Sequence, residues 1–373
     1  MRSLLITRNF PPLIGGMERL NCHILSALSQ RGPVVLIAPR GSGEHAKSAT
    51  SVLELPLRPL ALFLIGATVA TIGGLRRLGP NIVVAGSGLT APHAWLAARL
   101  SGARFAVYVH GLDLVVDHAI YQRIWLPIIR RADRVLANSR HTAQLAIERG
   151  VPSDRISVVS PGTDCSIAED VDAAEVRTRY GLGNGPILIS VGRLTPRKGL
   201  VPFVHEVLPM VVARHPDVRL VIVGDDASDA LRGGAGSERA RILGAADSMG
   251  LVSHVRLLGR LTDLELASIY SCATLHVFPV VDLPGDIEGF GMVALEAAAR
   301  GVATVGYEVG GIPDAVESGV SGELVRAGDA SALANVILSW IEGPPLEAAA
   351  ACRAFAMRNN WDAFEGKLLG ALE

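Results

Sequence analysis

Several turns in this 373-residue sequence place glycine beside residues that can hold an anion or a sugar diol. The stretch Gly192-Arg193-Leu194-Thr195-Pro196-Arg197-Lys198-Gly199 follows the apolar run 186–191, and Lys198 is one of only three lysines. A guanidinium fork with a point-charge ammonium suits a diphosphate. Glu288 and Glu296 frame an E-x7-E around Gly289, Phe290 and Gly291. That spacing is just over two helical turns, so both carboxylates can share one helix face if the helix begins early. His110-Gly111-Leu112-Asp113 follows the run 104–109 and puts an imidazole where a hydroxyl or a developing charge could meet it. Gly15-Gly16 precedes a periodic stretch from Met17, and Glu308–Asp314 is a further glycine turn. Each glycine turn is also what an ordinary strand-to-helix connection looks like.

The elements that carry these turns alternate. Apolar runs at 3–7, 34–38, 81–85, 104–109, 133–137 and 156–159 are separated by helical periodicity at 17–30, 91–100 and 142–148. Runs at 186–191, 218–223, 254–258, 274–278 and 302–307 follow, with a helix from about Leu200. Runs without polar alternation fit strands buried on both faces of a parallel sheet. The expected fold is α/β, with two Rossmann-like doubly wound domains facing a central cleft, where ligands gather at strand carboxyl ends. The first domain is placed at 1–165 and the second at 166–355, with a helix over 356–373 returning to the first. The stretch Asn184–Pro186 reads as a linker and Gly233–Gly236 as a surface loop.

Composition narrows the function. Half the residues are hydrophobic and mean hydropathy is +0.36, which excludes general disorder. The net charge of −1 argues against a nucleic-acid partner. Four scattered cysteines with no C-x-x-C, and no H-E-x-x-H, leave no disulfide scaffold or zinc motif. Walker A, G-x-G-x-x-G and G-x-S-x-G sequences are absent, which removes the usual nucleotidase, dehydrogenase and hydrolase signatures. The charge is uneven: residues 1–165 hold 18 basic and 9 acidic side chains, residues 166–373 hold 17 and 27. Either the basic half meets an anionic surface or phosphorylated acceptor, or the two halves attract each other. The uncharged stretch Pro59–Leu75, flanked by Arg58, Arg76 and Arg77, reads as a buried or half-buried helix. Its alternatives are a helix lying on a membrane surface and, since it is short and rich in glycine, least of all a membrane span.

In order, PPLIGGMERL, HGLD, ANS, VVSPGTD, VGRLTPRKG, VIVGDD, EGFGMVALEAAARG and GGIPDAVESGVSGELV resemble the retaining glycosyltransferases of family 4, which have the GT-B fold. GDIEGFGMV looks closest to the members that mannosylate lipid acceptors. The resemblance implies a nucleotide-diphosphate-sugar donor, GDP-mannose or a UDP-sugar, and no metal or other cofactor. The acceptor would be a glycan or lipid-linked hydroxyl in cell-surface polysaccharide or glycolipid synthesis. The resemblance gives His110, Glu288, Arg193 and Lys198 to the reaction. Arg193 and Lys198 would neutralise the leaving diphosphate, while Glu288 and His110 would meet the transferred sugar. Donor binding would fall to Gly16, Asp113, Gly192, Phe290, Gly291 and Glu296, the last on the ribose. With no obvious nucleophile, retention implies attack from the face the diphosphate leaves. Pro161, where the family usually has Asn, and Asp314, where Glu is common, depart from the pattern. A non-catalytic sugar- or nucleotide-binding protein and a GT-B epimerase are the alternatives. The expected location is cytoplasmic, at the inner face of the membrane for a lipid-linked acceptor, with peripheral contact through the basic first domain.

Overall fold

The computed structural model describes residues 1–166, 172–226 and 237–373. The glycine-rich stretch 233–236 lies outside them, as do the first residues of the charged stretch 169–180.

Two parallel sheets dominate. The first contains β1 (Ser3–Ile6), β2 (Val34–Pro39), β3 (Ser51–Leu55), β4 (Ile82–Ala85), β5 (Arg104–Val109), β6 (Arg134–Ala137) and β7 (Ile156–Val158), in the order β3-β2-β1-β4-β5-β6-β7. The second contains β8 (Ile187–Val191), β9 (Arg219–Val223), β10 (Val255–Gly259), β11 (Leu275–Phe278), β12 (Thr304–Tyr307) and β13 (Gly322–Val325), in the order β10-β9-β8-β11-β12-β13. Strand order reverses beside β1 and beside β8, the doubly wound pattern that opens a crevice at the carboxyl ends. The central strands are apolar because both faces are covered: β1, β2 and β4 are buried along their full length.

The chain forms two compact units, Met1–Gly162 with Gly285–Phe290 and Trp361–Glu373, and Thr163–Pro284 with Gly291–Asn360. The short excursion Gly285–Phe290 into the first unit is not foreshadowed by the linear boundaries at 165 and 355. Asn184–Pro186 is not a linker between units: it leads into β8 within the second, and a Cβ on Gly185 would lie 2.1 Å from the Asp217 carbonyl oxygen. Two strands, β3 and β13, had no counterpart among the apolar runs. Both are edge strands and only partly buried, so their residues need not be uniformly apolar.

Four helices matter below: α1 (Gly16–Gln30), α2 (Leu60–Leu78), α3 (Met292–Ala299) and α4 (Trp361–Leu372). In the first unit, α4 packs on α1. The Trp361 ring stacks on His23 at 3.9 Å, and Glu365 accepts hydrogen bonds from His23 Nδ1 at 3.0 Å and Gln30 Nε2 at 2.6 Å. Phe364, Leu368 and Leu372 are buried, which gives α4 an apolar face to lose if it is detached.

Candidate functional site

In the second unit the turn after β8 is shaped by close backbone approach. Gly192 has φ 140°, and its N–H donates to the Val223 carbonyl at 3.0 Å. Gly224 also has φ 140°, and a Cβ there would sit 1.9 Å from the Gly192 oxygen, so the turns after β8 and β9 touch main chain to main chain. Gly199, at φ 67°, would place a Cβ 1.8 Å from the Pro279 oxygen. Only glycine fits these positions. The turn they define holds Lys198 Nζ 4.7 Å above the centre of the Phe278 ring, and a Cβ on Gly192 would lie 3.7 Å from that ammonium. An aromatic face at this distance attracts the cation and fixes its position. Ser190, Gly192, Arg193, Leu194 and Lys198 line one recess. Lys198 is half-buried and Arg193 exposed. A charge in lower dielectric acts several-fold more strongly than one in water, so the field of Lys198 at this turn is stronger than that of Arg193.

Beneath this turn lies His276 of β11, fully buried. Its Nδ1 is 3.0 Å from Thr304 Oγ1, and Nε2 has no partner. Burial, and then the charge of Lys198, push its pKa from 6.5 down to about 3. A neutral imidazole is thus built in below the ammonium. The sign of the pH effect follows: the unfolded chain takes up a proton near pH 6.5 and the folded chain does not until about pH 3. Stability is therefore complete above pH 6.5 and falls as pH drops towards 3, by about 1.4 kcal/mol per pH unit from this group. Urea midpoints at pH 7 and pH 5 should show that loss in the wild type and a smaller one in His276→Gln. Equal losses in the two proteins would exclude His276 as its source.

Gly291 (φ 100°) caps α3, and a Cβ there would meet the Phe278 ring edge at 2.8 Å. One ring thus supports both Lys198 and the entry to α3. Glu296 is half-buried in that helix and close enough to Tyr270 to help raise the phenol's pKa, after burial itself. Glu288 does not share the helix. It lies outside α3, four residues before Met292, in the segment belonging to the first unit. The single-face geometry expected for the two carboxylates is corrected on this point. The reason is Gly291, whose left-handed backbone starts the helix late.

In the first unit His110 stands at the carboxyl end of β5. Its main-chain N–H donates to Asp113 Oδ2 at 2.9 Å, so Asp113 fixes the loop. His110 Nε2 is 3.1 Å from the Gly86 carbonyl. A carbonyl only accepts, so a proton sits on Nε2, which in the neutral tautomer leaves Nδ1 as the acceptor. Asn21 Nδ2 of α1 approaches the same carbonyl at 3.4 Å, while its buried Oδ1 has no partner. Asn138, directly after β6, donates weakly to the His110 carbonyl at 3.4 Å, and its Oδ1 is likewise buried and unpartnered. The loop carrying Glu288 seats here: a Cβ on Gly289 would lie 2.2 Å from the His110 oxygen and 2.7 Å from Asn138 Nδ2. Phe290, next along, is buried.

The expected residues therefore form two groups. Lys198 and Gly291 meet the Phe278 ring, Gly192 and Arg193 share a recess with Lys198, and Glu296 lies further along α3. His110 and Asp113 gather with the Gly289 loop beside Glu288. Gly16 opens α1 and is exposed, and the first turn of that helix already holds a carboxylate: Glu18 is buried and accepts from Asn9 Nδ2 at 2.9 Å. Sequence reasoning quoted Asn138 only within the ANS motif, without a role, and missed Asn21 and His276 as contributors. Asn138 had a positional signal, the end of an apolar run. His276 and Asn21 had none, since a polar residue inside a strand or helix does not announce its neighbours. Among the described residues no group of three or more His, Cys, Asp or Glu is arranged to hold a metal ion.

Two doubly wound units with a cationic glycine turn after the first strand of the second are the GT-B arrangement of nucleotide-sugar-dependent transferases. Residues 14–167 match the family described as Glycosyltransferase Family 4, and residues 172–357 the family described as Glycosyl transferases group 1. A GDP-mannose-dependent alpha-(1-6)-phosphatidylinositol monomannoside mannosyltransferase of Mycolicibacterium smegmatis is 31% identical, over 96% of this chain and 94% of its own. A D-inositol 3-phosphate glycosyltransferase of Acidothermus cellulolyticus is 32% identical over 65% of this chain and 53% of its own. Among solved structures, Anabaena HepE in complex with UDP has TM-score 0.81 at 20% identity, covering 100% of this chain and 99% of its own. Sucrose-phosphate synthase from Thermosynechococcus elongatus has TM-score 0.77 at 23% identity, covering 100% and 98%. The chain belongs to glycosyltransferase family 4 and is an enzyme that transfers a sugar from a nucleotide donor.

Proposed function

We propose that this enzyme moves a hexose, with retention of anomeric configuration, from GDP-mannose or a UDP-sugar to a hydroxyl of a glycan or lipid-linked acceptor in cell-surface polysaccharide or glycolipid synthesis. The observation that carries the reading is the ammonium of Lys198, held over Phe278 beside the Gly192 main chain where the sheet order reverses. That position suits a diphosphate, and the relative from Mycolicibacterium smegmatis, named for GDP-mannose and phosphatidylinositol monomannoside, supports the donor and acceptor classes.

In this reading the bond between the anomeric carbon and the diphosphate oxygen breaks first, and Lys198 and Arg193 stabilise the negative charge that appears there. These two cations offset that charge with no metal needed. Glu296 holds the ribose diol, and the main-chain groups of Gly192, Phe290 and Gly291 leave room for the donor. Gly16 leaves similar room at the start of α1. Glu288 and the His110 Nδ1 acceptor bind sugar hydroxyls, with Asp113 holding the His110 loop. The acceptor oxygen bonds to the anomeric carbon on the face the diphosphate leaves, and its proton passes to a diphosphate oxygen. The enzyme works in the cytoplasm, at the inner membrane face when its acceptor is lipid-linked.

The test is to incubate the protein with GDP-mannose and with UDP-glucose, with and without EDTA, and to read product configuration by NMR. One donor giving an axial product in either condition is the expected result. An inverted product, or turnover abolished by EDTA and restored by a divalent ion, would overturn the corresponding part.

A further inference from the structure

His110 is held at two points: Asp113 Oδ2 accepts from its main-chain N–H, and the Gly86 carbonyl meets Nε2. Neither fixes the tilt of the imidazole plane, because the second side-chain torsion of histidine has a broad, roughly two-fold profile. A third contact narrows it. Tyr108 stands two residues back on β5, on the same face of the sheet, and its ring lies 5.0 Å from the imidazole at an interplanar angle of 44°. Tyr108 is fully buried, and its hydroxyl donates to the Val159 carbonyl. On it rests Phe364 of α4, also buried, at 6.3 Å and 57°. Trp361 meets Phe364 edge-on at 5.5 Å, and His23 of α1 stacks on Trp361 at 3.9 Å. Five rings therefore run without a break from His110 through β5 and α4 to α1. Ring pairs at such separations and tilts attract beyond the area they bury.

We infer that Tyr108 and Phe364 are positioning residues for His110, so that the last helix of the chain sets the imidazole at the end of β5. Each ring closes the space into which its neighbour would tilt. Glu365 holds the α4 end of the run, accepting from His23 and Gln30 of α1. Ordinary core packing would stabilise α4 without reaching His110, and the two accounts part at the imidazole. The inference rests on the reading of His110 as a residue that meets the transferred sugar, but the state of its ring is measured without turnover.

The experiment follows the His110 ring resonance in the full chain labelled with 13C-histidine, assigned through His110→Gln, together with kcat. Phe364→Leu and Tyr108→Leu should each move that resonance and lower kcat by about three- to tenfold. Tyr108→Phe, which keeps the ring, should restore both, and in Tyr108→Leu/Phe364→Leu the second change should add nothing. Leu372 is buried on α4 outside the run of rings, so Leu372→Ala should lower the melting temperature and leave the resonance and kcat in place. The melting shift given by GDP or UDP, which carry no sugar, should match the wild type in every variant. A resonance unmoved in Phe364→Leu, one moved equally by Leu372→Ala, or additive effects of the two leucine variants would overturn the inference. If the double variant does not fold, the single-variant resonances decide. If the resonance moves as expected while kcat stays at the wild-type value in every variant, His110→Gln included, the run of rings stands and the sugar-binding reading of His110 fails.

Discussion

Lys198→Ala should lower kcat for sugar transfer by about 100- to 1,000-fold, the scale of losing one preorganised charge from a transition state. The ammonium is half-buried and held over an aromatic ring, so little of its field is lost to solvent. Arg193→Ala should cost about tenfold, since that side chain is exposed and screened. Lys198→Arg should recover little of the loss. The guanidinium is wider than the ammonium and must fit the same gap between the Phe278 ring and the Gly192 main chain. Removing Lys198 leaves the His276 imidazole neutral and slightly relieved, so the melting temperature should hold. Steady-state kinetics at saturating donor, with a thermal-shift titration of GDP and UDP, separates the two effects. A Lys198→Ala enzyme with wild-type kcat would remove the ammonium from the mechanism.

Gly289→Ala is the second large effect, and it acts through space alone. The backbone at Gly289 does not lie in the left-handed region, so alanine meets no conformational penalty there. Its methyl would instead lie 2.2 Å from the His110 carbonyl oxygen, a contact that main chain must move to relieve. The loop then lifts, and Glu288 lifts with it. A displacement of about 1 Å in a positioning group costs about 100-fold in kcat/KM. The melting temperature should fall by only a few degrees, because the loop is short. Gly73→Ala makes the contrast: nothing lies within 4 Å of its added methyl, and in the middle of α2 it should stabilise by about 0.5–1 kcal/mol. Activity of Gly289→Ala within twofold of wild type would mean that the loop seat tolerates a methyl and that Glu288 is not positioned by it.

The architecture was legible because parallel strands covered on both faces leave unbroken apolar runs, and the eleven apolar runs all became strands, the edge strands β7 and β10 among them. The edge strands β3 and β13 escaped because a half-covered strand such as SVLEL or GELV need not be uniformly apolar. Turn residues were legible for a related reason. Gly192 and Gly199 must be glycine to let two backbones touch, and that requirement is written in the residue itself. What stayed hidden is what depends on distance in space. E-x7-E spacing implied two carboxylates on one helix, but the left-handed Gly291 delays the helix and sends Glu288 to the other unit. His110 looked like a donor until the Gly86 carbonyl fixed its proton on Nε2. The His276 imidazole under Lys198 is visible only once β11 lies beside β8.

The packing of α4 has a consequence for how the protein is made. Residues 1–162 emerge from the ribosome first, yet Trp361 and Phe364, which meet the rings of His23 and Tyr108, are made only after the whole second unit has been synthesised. Contacts this distant in sequence form late and slowly. The nascent first unit must therefore wait for the ring partners of His23 and Tyr108 until its last helix is made.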